Sequence, residues 1–177
     1  MSLGDLKKEL KKLNKAEIIE VVADLYKKNK SVRDFFDFYV TPDEGALYDK
    51  YHDKIFEAFF PKRGFNYSLK AGKQAIAEFK KLGGSPTLVA ELMLFYVETG
   101  VEFTNAYGDI NEAFYSSLKT TFKNSLTLMQ KENILETFEI RVDKIIKNTS
   151  DIGWGFHESL VETWIDFYPI KDDETQE

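Results

Sequence analysis

The feature that most constrains this chain is the spacing of its apolar residues. Nearly every segment repeats them at helical intervals, and no β-branched run alternates with polar residues as a half-buried strand would. The strongest instance is Leu88–Val97, which lies between Ser85-Pro86 and Gly108. Proline suits the first helical position because the N–H it lacks would be unpaired there anyway. Glycine suits the far end because it accepts the positive φ that stops a helix. A helix that is apolar on nearly all sides has to be surrounded. The spacing therefore predicts an all-α fold of about eight or nine helices, packed as antiparallel hairpins around this one.

The other segments follow the same logic. Gly4–Leu13 shows one leucine face. Asn14 with Glu17 forms a capping box, flanked by Leu13 and Ile18 as a hydrophobic staple, ahead of a helix reaching about Lys28. Asn29 ends that helix, and Ser31 is expected to cap the aromatic helix that follows. Thr41-Pro42-Asp43-Glu44 opens a helix with Leu47, Tyr51, Ile55 and Phe59 at four-residue steps. Leu69–Leu82 is amphipathic and stops at Gly83-Gly84. Beyond Gly108, Asp109 with Glu112 fits a second capping box, followed by Phe114, Leu118, Phe122, Leu126 and Met129 on one face. A helix with Leu135, Phe138, Val142 and Ile145 comes next. The last is expected over about Ile152–Tyr168. Leu10–Tyr26 and Phe79–Tyr96 echo one another as helix end, capped turn and apolar helix. That echo points toward stacked helical hairpins of the α-solenoid kind.

Residues 1–170 read as a single domain, and Lys171–Glu177 as an acidic disordered tail. Cysteine is absent, which excludes disulfides, thiolate metal sites and cysteine nucleophiles. The net charge of −6 argues against a dominant polyanion-binding role. The lysine-rich start lacks the apolar core of a signal peptide, and no apolar run approaches the roughly 20 residues needed to cross a bilayer. A cytoplasmic setting is expected, in which the Asn-x-Ser triplets at Asn66 and Asn148 carry no meaning.

Few residues stand out chemically. Glu91, Glu98 and Glu102 recur on one face of the central helix, with Asn105 continuing the line. In the last helical segment Trp154, His157, Val161, Trp164 and Tyr168 share a face, and a hydrogen-bonded core role is the commoner fate of a histidine so placed. His52 fills a helix contact. These residues suggest a binding cleft in which Glu98, Glu102, Asn105 and Tyr107 meet Trp154 and His157. No Glu-x-x-His pair, phosphate loop, dinucleotide glycine pattern, nucleophile elbow or zinc-protease motif occurs. No catalytic residue, metal site or cofactor is therefore assigned. Lys62, Arg63, Lys70, Lys73, Lys80 and Lys81, with Phe65 and Tyr67, make the best basic-aromatic stretch for a nucleic acid, though a solvated helix face explains it as well.

Two longer pieces carry a family resemblance: ETGVEFTNAYGDINEAFY, Glu98–Tyr115, and DIGWGFHESL, Asp151–Leu160. With the Asp5-Leu6-Lys7-Lys8 start, the chain as far as Tyr168 resembles an uncharacterised family of small all-helical bacterial proteins, a domain of unknown function. The resemblance implies an all-helical fold and no activity or cofactor. The functional expectation is a non-enzymatic module that binds a protein or peptide partner. The alternatives are an enzyme or small-ligand binder using a His–carboxylate cleft, and a weak nucleic-acid binder through Lys62–Lys81.

Overall fold

A computed structural model describes residues 1–64 and 66–168. They form nine α-helices and one 3-10 turn, and no strand occurs among the described residues. The fold is all-α, as the spacing requires. The expected acidic tail and Phe65 lie outside the described residues.

The chain divides into two compact units at Glu44/Gly45. The first holds α1 (Leu3–Leu10), α2 (Lys15–Lys28) and α3 (Lys30–Val40). None of these helices has a fully buried residue, and Leu3, Ile19, Leu25, Tyr39 and Val40 are exposed. Local hydrogen bonds define their ends. Asn14 and Glu17 form the expected capping box, and a second one joins Ser2 to Asp5. The cap of α3 is Asn29 rather than the expected Ser31. Its side-chain oxygen accepts from the Ser31 and Val32 backbone N–H groups while its own N–H closes α2. No linker separates the two helices, so one residue both ends and starts. Tyr26 donates to Asp37 across the α2–α3 pair at 2.6 Å.

The second unit is built around α6 (Pro86–Tyr107), the longest helix. The rest are α4 (Glu44–Phe59), α5 (Leu69–Lys81), α7 (Glu112–Lys131), the 3-10 turn Leu135–Phe138, α8 (Glu139–Lys147) and α9 (Phe156–Phe167). Helix α6 packs against α5, α7 and α8, and α7 packs on α9. Val89, Leu92, Leu94, Tyr96, Val97 and Val101 are buried along it. The four-residue series of α4 and the Phe114-to-Met129 series of α7 are buried in full. Phe59 meets Tyr96 edge-on at 5.0 Å and Phe114 at 6.1 Å. The Tyr96 hydroxyl lies 2.9 Å from Ser117 Oγ in this core, and burial pushes its pKa up to about 12 against the opposing effect of that bond.

Helices α6 and α7 approach closely at Gly100. A Cβ built there would stand 2.5 Å from Leu118 Cδ2, inside any normal contact. The turn between them departs from expectation. Gly108 ends α6 with φ 83°, but α7 is capped by Asn111, whose side-chain oxygen accepts from Phe114 N at 2.9 Å. Asp109 instead accepts from the Tyr115 hydroxyl at 2.9 Å. The last helix also starts later than expected. Residues 153–155 are turn, and Trp154 and Gly155 both have positive φ, so α9 begins at Phe156.

Candidate functional site: the α6–α8 groove

The carboxylate stripe of α6 faces α8. Glu91 and Glu98 lie two turns apart on one side of α6, and Arg141 of α8 reaches both. Its Nε donates to Glu98 Oε1 at 2.8 Å and its Nη2 to Glu98 Oε2 at 2.7 Å, a bidentate pair. Its Nη1 donates to Glu91 Oε2. Burial opposes the guanidinium charge. The Glu98 hydrogen bonds and the Glu98 and Glu91 charges outweigh that cost, and the Arg141 pKa stands above its ordinary value. Burial and the Glu91 charge raise Tyr48 on α4 in turn. Glu91, Glu98 and Arg141 thus form an interhelical clasp.

Beyond the clasp, along both helices, a groove of about 430 Å³ opens. Glu98, Val101, Glu102 and Asn105 line one side, and Lys144, Ile145 and Asn148 the other. Val101 and Ile145 are buried and form an apolar floor. Glu102, Asn105, Lys144 and Asn148 are exposed at the rim, and none of their side chains has a hydrogen bond or ion pair among the described residues. The clasp leaves one carboxylate and one ammonium across an open space, with a carboxamide on each wall.

The other residues singled out from the sequence have different surroundings. Tyr107 is 63 % exposed and packs against Phe103 at 4.7 Å and Phe60 at 6.3 Å. Trp154 is 56 % exposed and stacks on Tyr115 at 6.4 Å, in the turn before α9. Gly153 beside it approaches Asp109 closely, since an added Cβ would lie 3.0 Å from Asp109 Oδ2. His157 is half-buried, with Nδ1 2.9 Å from Thr149 Oγ1. The one hydroxyl proton of Thr149 goes to Ile146 O at 2.6 Å, which leaves His157 Nδ1–H as the donor of the pair. Tyr107, Trp154 and His157 do not line the groove.

Sequence reasoning missed Arg141, Lys144 and Asn148. Their three- and four-residue spacing on α8 is the signal, because it puts them on one face opposite a helix with three carboxylates. His52 stacks on Phe95 with ring centroids 3.5 Å apart, the helix contact expected of it. In the basic-aromatic stretch Lys62 pairs with Glu57 at 2.5 Å, and the Tyr67 ring packs on Phe103 and Phe114. Among the described residues no group of three or more His, Cys, Asp or Glu side chains is arranged to hold a metal ion. No helix there is long and apolar enough to cross a membrane.

Fold and groove together define an all-helical protein with a polar-rimmed groove between two of its helices. The chain belongs to a family of unknown function (DUF6155), whose model matches residues 1–168. No curated protein and no solved structure matches it.

Proposed function

We propose that this protein is a non-enzymatic interaction module, acting in the cytoplasm, that holds an extended peptide segment of a partner in the α6–α8 groove. One observation carries the reading: four rim side chains without partners among the described residues, Glu102, Asn105, Lys144 and Asn148, surround the buried Val101 and Ile145 floor. Two carboxamides suit the alternating N–H and C=O groups of an extended chain, since each offers both a donor and an acceptor. An apolar floor beneath polar rims is the usual anatomy of such a contact. The clasp at one end fixes the two walls relative to each other, so little backbone ordering accompanies binding.

The test is a random pentapeptide array probed with the labelled protein and with Asn105→Trp, which fills the groove from an exposed position. The wild type retains a defined subset of peptides, and the variant loses them at unchanged Tm. No retention by the wild type, or equal retention by the variant, refutes the proposal.

A further inference from the structure

We infer that the groove selects peptide segments carrying two adjacent residues of opposite charge, a Lys or Arg set against Glu102 and an Asp or Glu set against Lys144. The inference rests on the peptide-binding reading above. Its starting point is the difference between two successive turns of the same helix pair. At the first, Arg141 satisfies Glu98 through two hydrogen bonds. At the next, Glu102 lies four residues on in α6 and Lys144 three residues on in α8. They line the same groove from opposite walls, and neither has an ion pair among the described residues. Glu98 is thus paired within the protein, whereas Glu102 and Lys144 face what enters the groove.

The geometry of an extended chain sets the spacing of the motif. Successive side chains of a strand point in opposite directions, so neighbouring residues address opposite walls. One helical turn advances about 5.4 Å and adjacent residues of an extended chain are offset by about 3.3 Å, so a single basic–acidic pair fits within the turn between the clasp and the two carboxamides. A segment with two like charges meets one wall of its own sign. A segment with no charge leaves both groups without a counter-ion.

Immobilised pentapeptides with a central Lys-Glu, Glu-Lys, Lys-Lys, Glu-Glu or Gln-Gln pair test this. They are probed with wild type, Glu102→Lys and Lys144→Glu at low salt and at 0.5 M salt, a concentration at which the Debye length falls to about 4–5 Å. The wild type ranks a mixed pair above both like pairs, on the order of fivefold per mismatched charge. Glu102→Lys, with two cations in the groove, turns the preference to Glu-Glu, and Lys144→Glu turns it to Lys-Lys. High salt flattens all three rankings. Both positions are exposed, so the fold persists, and an unchanged Tm confirms it. Retention that ignores charge, or rankings that stay put in the variants, overturns the inference and leaves the peptide groove standing. Absence of any retained peptide overturns both.

Discussion

Replacing Arg141 with Met should expose how much the interhelical clasp contributes. Methionine keeps most of the side-chain volume and removes the charge, which leaves the Glu91 and Glu98 carboxylates side by side without their shared cation. Breaking a fully buried ion pair costs about 3–5 kcal/mol. Here the side chains are 26 % exposed for Arg141, 31 % for Glu91 and 32 % for Glu98, so water recovers part of that loss. Discounted for this screening, the expected cost is about 1–3 kcal/mol at pH 7. The assay is urea unfolding followed by circular dichroism. Ionic strength gives a second readout. Two carboxylates without their shared cation repel, and added salt screens that repulsion, so the deficit of Arg141→Met should shrink between low salt and 0.5 M salt. Adding Glu91→Gln and Glu98→Gln should restore much of the loss at pH 7. A cost below about 0.5 kcal/mol, or a deficit that grows with added salt, would refute the reasoning, because the clasp would then be a solvated surface contact.

Three further measurements follow from the same structure. Tyr96 is buried with its pKa raised to about 12, so between pH 10 and pH 12 the unfolded chain releases a proton that the folded chain keeps. The wild type should therefore lose roughly 2–3 kcal/mol over that interval relative to Tyr96→Phe, and parallel pH profiles in urea unfolding would contradict this. Gly100→Ala should destabilise by about 1–3 kcal/mol, because steric overlap with Leu118 outweighs the roughly 1 kcal/mol gained in helix propensity. Leu118→Val should recover part of it, and a more stable Gly100→Ala in thermal unfolding would reject the close approach. Asn111→Ala should cost about 1 kcal/mol through the lost cap of α7, whereas Asp109→Ala should act through Tyr115 and leave the helix start intact. Amide exchange at Phe114 distinguishes the two.

The parts of the fold that were legible in the sequence are those set by local chemistry. Helix α6 could be read whole because Ser85-Pro86, the apolar run and Gly108 all act within the segment itself. The Asn14–Glu17 box is likewise a matter of four consecutive residues. The choice between Asp109 and Asn111 was not local. Both residue types can cap, and the position of Tyr115 decides which one is engaged elsewhere. Trp154 was assigned to a helix face from its spacing, but two successive positive-φ residues in Gly153-Trp154-Gly155 put it in a turn. The three α6 positions at the groove were legible as one polar face of an apolar helix. Arg141, Lys144 and Asn148 were not, because a cation on an amphipathic helix looks the same whether it meets water or a carboxylate across the sequence.

The first three helices contain no fully buried residue, and that has a consequence for how the molecule comes apart. Without buried residues these helices are held by propensity, by the α2–α3 contact that includes Tyr26–Asp37, and by caps worth about 0.5–2 kcal/mol each. Opening residues 3–40 then requires far less free energy than global unfolding, so the amides of α1–α3 should exchange with solvent by local fraying long before those of α6 and α7. Limited digestion should cut first within this segment and leave the unit around α6 as the resistant fragment. Asn29, which closes one helix and opens the next, marks the point where a single break in backbone pairing releases both.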